Sequence, residues 1–109
     1  LWSEDMADAC VFLMQNRNFS DTHSAIEKEI RNTHINIGTG VDVSIKELAE
    51  TIKNAIFFKG KLVFNSDKPD GTLRKLTDVS KLQTLGWKHK IDLEEGINKL
   101  YNWYLNPEK

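Results

Sequence analysis

One cysteine, two prolines and three histidines in 109 residues exclude several kinds of chemistry at once. A lone thiol cannot close an internal disulfide. Cys10 falls on the apolar side of a helical pattern, so it reads as a small core residue in a reducing compartment. His23, His34 and His89 make no i, i+4 pair and have no cysteine at ligand spacing, which argues against zinc. His34, at the start of an apolar run, reads as a hydrogen-bonded structural residue rather than a base. No run of about 18 apolar residues is present, nor a signal-peptide core, so the expectation is a soluble, cytoplasmic protein. Nucleophile elbow, phosphate-cradling lysine loop and plausible triad are all missing, and the serines stand at caps and in loops.

A strong excess of either charge is also lacking. Fifteen basic against sixteen acidic residues give a formal charge of -1, which speaks against a protein that coats polyanions. The distribution is uneven, however. Residues 57–90 hold eight basic and three acidic side chains, a local +5, and leave 7 minus 13, or -6, for the remainder. Such asymmetry suggests a compact anion site in an acidic body.

The length suits one domain, 1–109. Ser3 with Glu4 and Asp5 predicts a capped helix whose apolar face is Met6, Ala9, Cys10, Leu13 and Met14. Residues 17–33 are polar and read as a surface loop with about two helical turns. His34–Ile37 predicts a strand running into Gly38-Thr39-Gly40. Ser44 and Glu47 form a capping box for a helix that faces inward through Ile45, Leu48, Ala49, Ile52, Ala55 and Ile56. Lys61–Asn65 predicts a second strand, and Pro69-Asp70-Gly71 is turn chemistry. Asp78 caps a short helix that Gly86 ends, and Asp92 with Glu95 opens the last helix, which Pro107 stops. Two strands make a poor centre for an independent α/β domain, so the elements are expected to lie against a larger sheet. The chain also opens at Leu1 with a cap already at its third residue, which reads as the interior of a larger protein.

Gly38-x-Gly40 looks like the start of a dinucleotide fingerprint, but the third glycine that such a loop needs is replaced by Val43. Turn glycines explain the pair better, with Gly38 also able to keep space clear beside a ligand. Nucleic acid is disfavoured. The basic stretch lacks repeated exposed aromatics, and Trp87, after a helix-ending glycine, is expected to pack back onto that helix. A phosphate-bearing small molecule fits the same cations, because a rigid turn and one or two positive charges suffice to hold a diphosphate.

His34-Ile-Asn-Ile-Gly-Thr-Gly-Val-Asp42, Ser44-Ile-Lys-Glu-Leu-Ala49, Lys68-Pro-Asp-Gly-Thr72, Arg74-Lys-Leu-x-Asp78 and Leu85-Gly-Trp87 together resemble the C-terminal half of the GDP-L-fucose synthase family. The Arg, Asp and Leu-Gly-Trp pattern is similar across nucleotide-sugar epimerases and dehydratases of the extended short-chain dehydrogenase/reductase superfamily. The KPDGT turn points to the fucose synthase branch. The resemblance covers nearly the whole chain, weakest over 17–33, and the opening residues LWSEDMADA resemble the stretch that returns to the substrate domain. It implies an α/β fold: a C-terminal substrate-binding domain, mostly helical with two or three short strands, without the N-terminal Rossmann domain. It also implies that the full-length enzyme converts GDP-4-dehydro-6-deoxy-D-mannose to GDP-L-fucose by 3,5-epimerisation and NADPH-dependent 4-reduction, as a homodimer. The family's NADP loop and catalytic residues belong upstream of Leu1, so the fragment is expected to be inactive alone and to bind no cofactor. Cys10 and the histidines match none of those motifs. By resemblance, Asp70 is the candidate acceptor for the nucleotide sugar, with Lys68 and Arg74 toward the diphosphate. Trp2, where relatives often carry His or Tyr, and Leu73, in place of a frequent proline, depart from the pattern. Competing readings are another nucleotide-sugar epimerase or dehydratase, or a non-catalytic protein-interaction module.

Overall fold

The structure, a computed structural model, describes residues 1–107. Its elements are α1 (Ser3–Asn16), a 3-10 turn (Phe19–Thr22), α2 (Ile45–Ala55), α3 (Ser80–Thr84) and α4 (Leu93–Leu105). They divide into two compact units: residues 1–41 with 77–92, and residues 42–76 with 93–109.

Neither expected strand forms among the described residues. His34–Ile37 and Lys61–Asn65 take part in no backbone–backbone ladder. The β-branched pattern was real, but a strand exists only when a neighbour supplies hydrogen-bond partners, and the described residues offer none. Ile35 and Ile37 instead lean on the core of the first unit.

That core is Ala9, Leu82 and Trp87, flanked by Phe12, Leu13, Ile35 and Ile37. Val79 is also buried. On α1 the inward face is therefore Asp5, Ala9, Phe12 and Leu13. Of the expected face, Ala9 and Leu13 pack inward as read, whereas Met6, Cys10 and Met14 are exposed, so the face is rotated by about one residue and Cys10 is not a core residue. The helical period was right and its phase was wrong, because a carboxylate occupies the buried stripe. Asp5, 3% exposed, accepts from the backbone amides of Lys90 (3.1 Å) and Ile91 (2.9 Å), so its burial leaves no polar atom unpaired. Ser3 does not cap α1 either. Trp2 holds the cap position, with no side-chain cap bond, and its indole donates to Glu4.

α3 closes as its sequence requires. The Trp87 amide donates to the Leu82 carbonyl (3.2 Å) and the Gly86 amide to that of Gln83 (2.9 Å), a Schellman pair. This brings Leu82 and Trp87 together in the core. The turn needs Gly86 at φ 103°, where a Cβ would also lie 3.4 Å from Arg17 Nη2. Gly86→Ala is expected to lower stability by about 1–2 kcal/mol, the cost of left-handed backbone for an L-residue, and thermal unfolding would measure it. An unchanged melting temperature would mean that the turn relaxes at no cost. Arg17 also donates through Nε to the Leu85 carbonyl (2.8 Å), adding a cation to the end of α3.

The polar stretch 17–33 has only the 3-10 turn, not two helical turns. It is tied down by Lys81, whose ammonium donates to the carbonyls of Thr22 (3.1 Å), Asn32 and His34 (2.9 Å). All three ammonium donors are spent on backbone.

In the second unit, α2 packs against α4. The capping box forms as read. Glu47 N donates to Ser44 Oγ (3.1 Å) and Ser44 N to Glu47 Oε2 (2.8 Å), and the Ser44 backbone bond leads in holding the Glu47 carboxyl below its usual range. Large apolar side chains nonetheless face solvent: Ile45, Val63, Leu73 and Trp103 here, and Met14 in the first unit.

Candidate functional site

The basic stretch divides between the two units and between two fates. In the first unit, Lys81 is consumed by carbonyls, as above. Lys90 pairs with Asp8 at 3.2 Å, and Asp8 also accepts from the Trp87 indole at 2.8 Å. The Trp87 bond, then Lys90, holds the Asp8 carboxyl below the usual carboxylate range. Beside this pair, Phe12, Asn16, Trp87 and Lys88 line a shallow cleft of about 360 Å³. Trp87, 5% exposed, is thus a core residue and not a stacking platform for bases.

The glycine turn packs closely on Val79. A Cβ on Gly40, at φ 77°, would lie 2.9 Å from Val79 Cγ2, and one on Gly38 would lie 3.3 Å from Val79 Cγ1. Val79 therefore fills the space that Gly38 was expected to leave for a ligand. The glycines serve close packing of backbone on side chain.

Lys68, Asp70 and Arg74 all belong to the second unit, on the irregular segment between residues 60 and 76, and all three are exposed. The turn begins at Asn65. Its Oδ1 accepts from the Asp67 amide at 2.9 Å and its carbonyl from the Lys68 amide at 3.5 Å, the side-chain and backbone bonds of an Asx-type turn. Around Gly71 the space is open: nothing lies within 4 Å of where its Cβ would stand. No hydrogen bond links Lys68, Asp70 and Arg74 to one another among the described residues.

Arg74 alone of the three has a charged partner, Asp42. Nε donates to Oδ2 at 2.6 Å and Nη2 to Oδ1 at 3.0 Å. The hydrogen bond, more than simple charge attraction, holds the Asp42 carboxyl below its usual range and raises the Arg74 guanidinium further. Asp42 is 32 positions away in sequence, and its place at the end of the Gly-Val-Asp motif gives no sign of this pairing. The arrangement is an exposed irregular segment carrying a carboxylate, a lysine and an arginine held by Asp42. Chemically, it can accept hydroxyl and amide donors and offset phosphate charge.

Known proteins supply the context. Over 102 residues the chain is 48% identical to GDP-L-fucose synthase 1 of Arabidopsis thaliana, with 94% of this chain and 28% of that protein covered. Against GDP-L-fucose synthase of Escherichia coli it is 46% identical over 110 residues, covering 96% and 32%. The chain is a homologue of the GDP-L-fucose synthases. No protein-family model matches it. Among solved structures, a GDP-6-OMe-4-keto-L-xylo-heptose reductase from Campylobacter jejuni superimposes with a TM-score of 0.89 at 48% identity, over 99% of this chain and 30% of that one. A GDP-mannoheptose C4 reductase from the same organism, solved with NADP bound, gives 0.81 at 48% identity, over 97% and 31%. Both of these neighbours are, by name, reductases of GDP-linked sugars. The chain thus spans about a third of the length of the GDP-L-fucose synthases and GDP-sugar reductases that it matches. No helix among the described residues is long and apolar enough to cross a membrane.

Proposed function

We propose that this chain is the substrate-binding part, 1–109, of a GDP-L-fucose synthase that converts GDP-4-dehydro-6-deoxy-D-mannose to GDP-L-fucose by 3,5-epimerisation and NADPH-dependent 4-reduction. The observation that carries this is the 46% and 48% identity to GDP-L-fucose synthases, sustained over nearly the whole chain. In this reading Asp70 accepts hydrogen bonds from ribose or guanine donors, and Lys68 and Arg74 offset the diphosphate. The chain's own residues do not fit NADP(H): its one Gly-x-Gly turn is filled by Val79. The cofactor, which supplies hydride when bound, belongs to a Rossmann domain elsewhere in the complete protein, and the chain by itself is inactive. The apolar side chains left facing solvent support docking on that domain. The full enzyme is a cytoplasmic homodimer in this proposal.

A second reading has its own support. Both structural neighbours act on GDP-heptoses by the names they carry, so a GDP-4-keto-heptose reductase is the alternative. The test is NADPH oxidation by the complete protein with GDP-4-dehydro-6-deoxy-D-mannose and with a GDP-4-keto-heptose, each in wild type and Asp70→Ala. Turnover of the hexose with formation of GDP-L-fucose supports the first reading, and exclusive turnover of the heptose supports the second. For the substrate that reacts, Asp70→Ala is expected to raise KM about tenfold or more, as for loss of a charged hydrogen-bond acceptor. An unchanged KM would remove Asp70 from the site.

A further inference from the structure

The Asp42 carboxylate leaves Arg74 with donors to spare. Of the five guanidinium N–H groups, it engages Nε–H and one on Nη2, at 2.6 and 3.0 Å. One N–H on Nη1 and the second on Nη2 form another fork, on the guanidinium edge that Asp42 does not occupy. That fork matches a pair of phosphate oxygens. We propose that Asp42 is a positioning residue, which holds Arg74 side-on so that its outer fork can meet the diphosphate of a nucleotide sugar without the ion pair breaking.

Two further observations support this. Among the described residues, the pair is the single hydrogen-bonded tie between residues 60–76 and any distant part of the chain, since the other bonds of this segment stay within its own turn. The tie also lands two residues before Ser44, whose capping box fixes the start of α2. Arg74 is thus tied to the capped start of α2 and not to its own irregular segment around Gly71. The alternative is an ion pair that serves stability alone. At side-chain exposures of 67% and 38% its effect on stability is small, because water screens both charges.

The inference rests on the GDP-sugar reading of this chain, and the variants separate the two. In the complete protein, Arg74→Ala tests the reading, and Asp42→Asn tests the positioning. Titration with GDP and with guanosine, beside steady-state kinetics, supplies the readouts. Asp42→Asn is expected to raise KM and the Kd for GDP about tenfold, to leave guanosine binding and kcat within about twofold, and not to move the melting temperature by more than about 2 °C. Asp42→Glu should recover part of the GDP affinity. In an Arg74→Ala background, Asp42→Asn should add nothing, since the two act through one contact. If Arg74→Ala leaves GDP affinity unchanged, the diphosphate role of Arg74 falls, and this inference with it. If Arg74→Ala weakens GDP while Asp42→Asn does not, or tightens it, the positioning role alone is overturned.

Discussion

Replacing Trp87 with alanine is expected to cost about 3–5 kcal/mol, a large fraction of the roughly 5–15 kcal/mol that holds a domain folded. Trp87 is the largest member of the core cluster that it forms with Ala9 and Leu82, at the point where the Schellman turn folds residue 87 back onto α3. Its removal opens a cavity that α1 and α3 cannot close independently, because the turn fixes where each must stand. It also takes the indole donor from Asp8, whose carboxylate retains Lys90. Trp87→Phe should cost clearly less, about 1–2 kcal/mol, since most ring area stays while the N–H is lost. Urea unfolding of each variant, followed by circular dichroism, gives the comparison. An alanine cost below about 1 kcal/mol would show that the core re-forms without the indole and that Trp87 is not its keystone.

Trp87 was legible in the sequence because its cause is local. Leu-Gly-Trp at the end of a short apolar helix is sufficient to call up the left-handed glycine and the return of the next side chain. The same holds for α2, where Ser44 and Glu47 lie three residues apart and satisfy one another. What failed depends on partners. His34–Ile37 and Lys61–Asn65 have strand composition, but pairing needs a second chain segment at the right distance, and composition cannot supply one. Asp42 and Arg74 meet across 32 residues, so the candidate site was half visible. The turn that forms runs from Asn65 to Lys68, just before the Pro69-Asp70-Gly71 turn that composition suggested, and the carboxylate that orients Arg74 could not be read at all. Cys10 failed for a third reason. An amphipathic pattern scores hydrophobic residues inward, so on a helix that buries an aspartate the predicted face is turned by about one residue, which brought Cys10 in and left Asp5 out.

That aspartate makes the second large effect. Asp5→Leu is expected to cost about 2–4 kcal/mol, because the amides of Lys90 and Ile91 then lose their common acceptor inside the protein and neither has another partner among the described residues. Leucine is close in size and more apolar, and by side-chain hydrophobicity alone it should stabilise a buried position. The sign of the result therefore decides between two accounts of why α1 sits where it does. If apolar packing alone places the helix, Asp5→Leu is neutral or stabilising. If the carboxylate clamps residues 90 and 91 to the first turn of α1, leucine destabilises, whereas Asp5→Asn, which keeps an oxygen able to accept both amides, loses only about 1 kcal/mol. Hydrogen exchange at the two amides reads the same contact directly: protection should survive in the asparagine variant and collapse in the leucine one. Protection unchanged in both would mean that other acceptors hold these amides and that Asp5 is a tolerated occupant of the buried face.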